Sequence, residues 1–148
     1  MKRAGKQALL SVCAVALVLV VSAPCFGQAP NPIVSISLDC NLYWGSAPYG
    51  RTITPKGTYQ CANAQLLRIE VEIGSTDAQG VFSPEPGTTP QTANTSIAPD
   101  GKLLWSSGEY YNLQANRWHT IRATVVWLQW PSTQEKKTTG SMNYKFIE

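Results

Sequence analysis

The chain has 148 residues, of which 43% are hydrophobic and 14% charged, with a formal net charge of +3. This length suits one domain rather than two of ordinary size, and sparse charge with many aromatic and β-branched residues argues against a disordered segment. Beyond the N-terminal segment the only adjacent basic pair is Lys136-Lys137, so the clustered cations of a nucleic-acid surface are missing and no nucleic-acid partner is predicted.

The N-terminal segment is typical of a secretion signal. Residues 1–7 hold three cations and no acid, and an uncharged apolar stretch follows over residues 8–23. That stretch is shorter than the about 20 residues of a transmembrane helix, and no stop-transfer cations follow it. We therefore predict a removable signal peptide over residues 1–27, a secreted or periplasmic location, and no membrane span after removal.

Cleavage is predicted between Gly27 and Gln28, since cuts after the neighbouring alanines would place a proline just past the scissile bond. A lipid anchor at Cys25 is the alternative. The residue before that cysteine is Pro24, where a lipoprotein signal has a small residue, so a soluble mature chain is favoured.

Removal of the signal changes both the charge and the cysteine count. Three of the twelve basic residues leave with it, so nine basic and nine acidic residues remain and the net charge becomes zero. The two remaining cysteines, Cys40 and Cys61, predict one disulfide in an exported protein, with two free thiols as the alternative. One histidine and no Cys-x-x-Cys spacing give little support to a zinc or redox site, and no cofactor is predicted.

Apolar and polar residues alternate along the first part of the mature chain. Residues 28–32 form a flexible leader, and residues 33–43 then alternate with period two, which predicts a half-buried strand with Cys40 facing inward. The composition of residues 45–50 indicates a loop. Further strands are predicted over residues 52–62 and 67–73.

Prolines interrupt the middle of the chain. Four of them lie within residues 75–101 and exclude a long central strand there, which leaves short strands around residues 81–82 and 95–97.

The C-terminal part returns to clear alternation. A strand and a corner are predicted within residues 102–113, and both faces of the following strand, 118–130, become apolar, which places it mid-sheet. Residues 131–140 are predicted to form a polar hairpin loop before the last strand, 142–146. Because no segment after the signal shows helical spacing, these patterns predict an all-β sandwich.

One segment resembles a known family. Residues 113–123, LQANRWHTIRA, resemble the leucine, short turn and His-Thr-Ile-x-Ala corner of bacterial immunoglobulin-like (Big/cadherin-like) domains. Residues 67–74 resemble the third strand of that family, and Trp105 stands where it commonly has tryptophan. The resemblance implies an immunoglobulin-like β-sandwich of about seven strands over residues 33–148, with the corner leading into the penultimate strand.

The chain also departs from that family. Asn116 stands where glycine is common, and Ser75 follows Gly74 without the usual aspartate. The spacing of Cys40 and Cys61 is unlike that of the inter-sheet disulfide of antibody domains. Their bridge is therefore expected to tie the first strand to the second.

The residue types of catalysis are sparse. His119 is the only histidine, and its place in the corner favours a structural role over that of a general base. Glu70 and Glu72 lie on one strand face, as a glycosidase pair could, but Arg68 shares that face and indicates a solvated surface. No Gly-x-Ser-x-Gly elbow is present, and we predict that the chain is not an enzyme.

Aromatic residues are the remaining functional signal. Trp105 and Trp127 are predicted to fill the core, whereas Trp130 and Tyr111 fall near strand ends and are predicted to form an exposed binding surface. The sequence thus indicates an exported non-enzymatic interaction or structural module, with an unidentified protein or polysaccharide as its partner. The alternative is a carbohydrate-binding module that uses Trp130 and nearby rings.

Overall fold

The computed structural model describes residues 30–44 and 50–147. The predicted signal peptide, its cleavage site at Gly27 and Gln28, and Cys25 lie outside the described residues. The described residues form ten strands: β1 (Ile33–Ile36), β2 (Asp39–Trp44), β3 (Arg51–Ala62), β4 (Gln65–Thr76), β5 (Phe82–Pro84), β6 (Gln91–Thr92), β7 (Asn94–Ile97), β8 (Leu103–Ser106), β9 (Trp118–Leu128) and β10 (Lys136–Lys145).

These strands form two antiparallel sheets that pack into a sandwich. In the first sheet the order is β1-β3-β8-β7, with β2 also paired to β3; in the second it is β10-β9-β4-β5, with β6 also paired to β4. The chain passes from the second sheet to the first between β6 and β7, at the buried Ala93. The all-β sandwich predicted from the alternation is thus the observed architecture.

The core lies between the inner faces of the two sheets. Ile53 and Trp105 enter it from the first sheet, and Ile69, Ile121 and Val125 enter it from the second, all essentially without solvent contact. Strand β9 lies between β10 and β4, as its two apolar faces predict. Its central place explains why nearly every residue of β9 is buried or half-buried.

The first predicted strand is divided into β1 and β2, which lie in line along one edge of β3. At the break, the Trp105 indole donates a hydrogen bond to the Ser37 carbonyl oxygen over 3.1 Å. Gly57 lies against the same carbonyl, and an added Cβ would fall 2.0 Å from it. A side chain at position 57 would therefore displace β1 from β3.

Strand β1 also closes the sandwich against β10. A Cβ at Gly140 would come within 2.7 Å of Leu38 Cδ1 and 3.1 Å of Ile36 Cγ2. The glycine thus permits a close approach between the first and last strands, and the sequence alone offers no sign of that contact.

The corner before β9 explains one departure from the immunoglobulin-like pattern. Asn116 has a φ of 57°, in the left-handed region where glycine is favoured and asparagine is tolerated. Its backbone N–H donates to the Phe146 carbonyl oxygen over 2.7 Å. Asparagine therefore fills a position that needs this conformation, and the corner does lead into the penultimate strand.

Two predictions about the strands are wrong. Residues 30–44 and 50–147 form ten strands rather than about seven, because the first strand is divided and the proline-rich segment contributes three short strands. The last strand begins at Lys136 rather than Met142, since backbone pairing with Trp127 to Ala123 on β9 extends it into the polar segment predicted to be a loop.

Candidate binding surfaces

An exposed tryptophan beside a polar row forms one candidate site, which we call the Trp118 cleft. Its lining residues are Thr76 at the end of β4, Trp118 and Thr120 on β9, and Asn143 on β10, around a cavity of about 330 Å³. Trp118 is 63% exposed although it lies in a strand. The alternation of β9 explains this, because His119 and Ile121 face the core and their neighbours face outward.

Hydrogen bonds link the polar side chains of the Trp118 cleft in one direction. The Thr76 hydroxyl donates to Thr120 Oγ1 over 3.1 Å, and the Thr120 hydroxyl donates to Asn143 Oδ1 over 2.8 Å. This row fixes the Asn143 amide so that its Nδ2 group points away from Thr120. In the described part of the chain nothing accepts a hydrogen bond from that nitrogen, so the row presents acceptor lone pairs at Thr76 and two donor hydrogens at Asn143.

A second cleft holds two tyrosines, and we call it the tyrosine cleft. Tyr43, Thr52, Glu109 and Tyr111 line a cavity of about 310 Å³. The Tyr111 hydroxyl donates to Glu109 Oε2 over 2.7 Å, and the neighbouring Tyr110 forms a bridge to β3 at Ile53. Tyr43 and Tyr111 are 66% and 46% exposed, and only the folded chain brings them together.

The structure separates the two residues of the predicted binding surface. Tyr111 lies near the end of the sandwich where β9 begins, whereas Trp130, which is 83% exposed, follows the other end of that strand. An eleven-residue strand is about 35 Å long. Trp130 and Tyr111 are both on the surface, but they cannot contact one small ligand together.

Among the described residues, four exposed rings share the end near the start of β9. Trp44 packs edge-on against Phe146, just beyond β10, at a centroid distance of 5.1 Å, and Lys145 at the end of β10 pairs with Trp118. We call this end of the sandwich the aromatic end; Tyr43, Trp44 and Tyr111 lie there beside the first sheet, and Trp118 lies there on the second. Sequence reasoning identified only Tyr111, because the exposure of the others depends on strand ends and pairings that alternation does not specify.

His119 lies inside the protein rather than in a cleft. Its ring has no solvent exposure and stacks on Tyr144 at 5.3 Å. Nε2 is 2.9 Å from the Gln114 carbonyl oxygen, which can only accept, so this nitrogen carries a hydrogen. Nδ1 is 3.5 Å from Glu85 Oε2. A ring enclosed in this way holds the corner against the core, in agreement with the predicted structural role.

The two glutamates on β4 are engaged by arginines. Arg68 Nε is 2.7 Å from Glu70 Oε1, and Arg122 pairs with Glu72 Oε2 at 2.6 Å. Arg68 also donates two hydrogen bonds to Glu135 across the sheet, and this contact holds the pKa of Glu135 below its ordinary value. This outer face is an ion-paired surface rather than an acid–base pair open to substrate.

The predicted disulfide between Cys40 and Cys61 is not formed in the structure, and both thiols are free. Cys40 pairs with Pro55 on β3, whereas Cys61 lies six residues further along the same strand and pairs with Val34. Six residues of strand span about 20 Å, well beyond the 7 Å between Cα atoms that a bridge allows. Burial raises the pKa of both thiols.

A larger groove of about 560 Å³ lies beside the ends of β3 and β8, lined among others by Ile33, Tyr59 and Leu103. Its two charged side chains, Asp100 and Lys102, pair with each other at 2.7 Å. The positive and negative charges of this pair balance each other at the margin of the groove.

Within the described ranges no three His, Cys, Asp or Glu side chains are placed to hold a metal ion. The same ranges contain no helix with the length and hydrophobicity of a membrane span.

Comparison with known families finds no family model that matches the chain, and no curated protein matches it. Among solved structures the chain is similar to the ZP-N1 domain of ZP1, determined as a partially deglycosylated homodimer in work on egg coat filament cross-linking. The TM-score is 0.37 and the sequence identity 12%, over 77% of this chain and 99% of that one. A similarity of this size fixes neither the family nor the function of the chain.

Proposed function

We propose that this chain is an exported, non-enzymatic interaction module that binds its partner through the aromatic end. The observation that carries the proposal is the grouping of Tyr43, Trp44, Tyr111 and Trp118 at one end of the sandwich, each exposed by more than two fifths. Rings left in water forgo the stabilisation that burial would give them. Grouped exposed rings are typical of contact surfaces.

Export rests on the signal peptide proposed for residues 1–27. A bacterial immunoglobulin-like identity is supported by the two antiparallel sheets, by the corner at residues 113–123 that leads into the penultimate strand, and by the left-handed Asn116. Modules of this architecture serve many functions, so the exposed surface rather than the fold carries the proposal.

The proposal is tested by removing rings at each end of the sandwich. We expect the double variant Tyr43→Ser/Tyr111→Ser to lose most of its co-sedimentation with the envelope fraction of the source organism, while Trp130→Ser retains it. Far-UV and near-UV circular dichroism would establish that both variants are folded. If the double variant bound as the wild type does and Trp130→Ser lost binding, the contact surface would lie at the opposite end of the sandwich.

Carbohydrate binding is the second candidate function, and the Trp118 cleft is the observation that favours it. An indole face accepts the apolar C–H face of a sugar ring, and the adjoining Thr76 and Asn143 groups can bond to its hydroxyls. Trp118 thereby replaces Trp130 as the main ring of this hypothesis.

Tryptophan fluorescence measures this candidate function. We expect a saturable change on titration with a bound polysaccharide, and we expect Trp118→Ala to remove it while Trp130→Ala does not. An equal response in wild type and Trp118→Ala would exclude the cleft as the sugar site.

A further inference from the structure

We infer that the Trp118 cleft binds a uronic-acid residue of an acidic polysaccharide. This inference rests on the carbohydrate-binding function proposed above and specifies its ligand. It depends on Lys145, a cation at the margin of the cleft.

Lys145 and Trp118 face each other across the β9–β10 pair. Lys145 is the register partner of Trp118, and Asn143 is the register partner of Thr120. Directly opposed residues of an antiparallel pair point to the same side of the sheet, with Cβ atoms about 5 Å apart. The flexible stem of Lys145 can therefore bring its ammonium group to the edge of the indole.

The Lys145 ammonium has no carboxylate partner among residues 30–44 and 50–147. Lys137, on the same face of β10, lies 3.9 Å from Glu70, and Lys102 pairs with Asp100. Lys145 is thus a cation that can still pair with a ligand.

Asp77, the acidic residue next to Thr76 in sequence, accepts hydrogen bonds from the backbone N–H groups of Gln79 and Val81 over 3.0 and 2.8 Å. Two glutamates further away in sequence have arginine partners. Glu72 on β4 pairs with Arg122 at 2.6 Å, and Glu85 just beyond β5 pairs with Arg117 at 3.3 Å. None of the four lining residues of the cleft carries a charge. Lys145 is therefore the charged side chain opposite the indole, and it favours an anionic ligand there.

A uronic acid has the groups that match this arrangement. The apolar face of its pyranose ring would stack on the Trp118 indole, and its carboxylate would pair with the Lys145 ammonium. Ring hydroxyls would donate to Thr76 Oγ1 and accept from Asn143 Nδ2. Each polar group in the cleft then has a partner of opposite hydrogen-bonding character.

The experiment compares acidic polymers with their uncharged methyl esters. Isothermal titration calorimetry would measure binding of the mature protein to polygalacturonate and alginate, each beside its methyl ester. We expect the wild type to bind at least one acid roughly five-fold more tightly than its ester, the size of one exposed ion pair. We expect 0.5 M salt to reduce that preference.

Two lysine variants and one ring variant distinguish the outcomes. We expect Lys145→Gln to bind acid and ester equally, Lys137→Gln to keep the preference as a charge-matched control on the same strand face, and Trp118→Ala to lose both polymers. Equal binding of acid and ester by wild type would overturn the uronic-acid inference while leaving carbohydrate binding intact. Loss of preference in both lysine variants would also overturn it, since the attraction would then be non-specific. Binding of none of the polymers would overturn the inference and the carbohydrate function together.

Discussion

At the scale of single residues, His119 and Trp118 show how strand alternation divides neighbouring side chains between structure and recognition. His119 turns inward, where its ring stacks on Tyr144 and bonds to the Gln114 carbonyl. Trp118 turns outward onto the surface of the second sheet. A histidine sealed in the core contributes to stability, whereas the exposed ring next to it remains available to a ligand.

We expect His119→Ala to lower the free energy of unfolding by about 3 kcal/mol, because it leaves a cavity and removes the bond to Gln114. Urea unfolding followed by circular dichroism measures the change. Trp118→Ala is the matched control, for which we expect a change within about 0.5 kcal/mol. Equal stability of His119→Ala and wild type would contradict the structural role of this ring.

The cysteines give a second prediction at this scale. We expect two reactive thiols per mature chain in denaturant, because the strand register holds Cys40 and Cys61 apart. In the native protein their reaction with a disulfide reagent at neutral pH should be slow, since burial raises the pKa of both thiols and the thiolate is the reactive form. A thiol assay that finds none without prior reduction would contradict this register and restore the disulfide predicted from the sequence.

At the scale of strands, the contact between β1 and β10 depends on the absence of a side chain at position 140. Leu38 and Ile36 occupy the space that a Cβ would need. The two strands close the sandwich at this point, although they lie about a hundred residues apart in the sequence.

We expect Gly140→Ala to cost about 1–3 kcal/mol of stability, because the added methyl group overpacks this contact. Thermal unfolding measures the loss, and Ser141→Ala, whose side chain points to the opposite face, is the control. The double variant Gly140→Ala/Leu38→Ala should recover part of the stability lost in the separate changes. Strictly additive losses would show that Leu38 does not provide the obstruction.

The strands also show how far sequence reasoning reaches. Period-two alternation located β4 and β9. It also placed β9 mid-sheet, because the order of apolar residues indicates whether one face or both faces of a strand are buried. It did not locate the start of β10, where backbone pairing to β9 overrides a polar composition. It also misjudged the cysteine pair, since alternation gives facing but not register.

The candidate site was less predictable than the strands for the same reason. The Trp118 cleft draws on three strands, and Thr76, Thr120 and Asn143 become neighbours only through the pairings of β4 with β9 and of β9 with β10. The exposure of Tyr111 and Trp130 could be expected from their places near strand ends. Their separation by the length of β9 could not.

At the scale of the whole molecule, buried tyrosines link folding to pH. Burial raises the pKa of Tyr110 to about 12, with a smaller effect from Glu72, and burial also raises the pKa of Tyr144. An unfolded tyrosine ionises near pH 10. Both side chains therefore contribute stability that is fully present below pH 10 and declines above it, and the contribution of Tyr110 is lost as the pH rises through about 12.

We expect the free energy of unfolding to fall steadily between pH 10 and pH 12, as measured by urea unfolding at fixed ionic strength. Tyr110→Phe should reduce this slope, because it removes one of the two ionising groups. The same variant should cost about 1 kcal/mol at neutral pH, since the Tyr110 hydroxyl donates to the Val71 carbonyl oxygen over 2.7 Å. Stability that does not change over this range would contradict the burial of both rings.

The arrangement of rings over the whole molecule carries the functional account. Trp105 and Trp127 lie in the core, Trp130 lies at one end, and Trp44 and Trp118 lie with two tyrosines at the other. The resonances of the five indole N–H groups therefore give separate signals for the core and for each end of the sandwich.

The most direct test follows these five indole resonances by nuclear magnetic resonance while the solubilised envelope fraction is titrated into the labelled protein. The account predicts that the Trp118 and Trp44 signals shift or broaden, while those of Trp105, Trp127 and Trp130 stay unchanged. A response confined to Trp130, or no response from any of the five, would contradict the claim that this protein binds through its aromatic end.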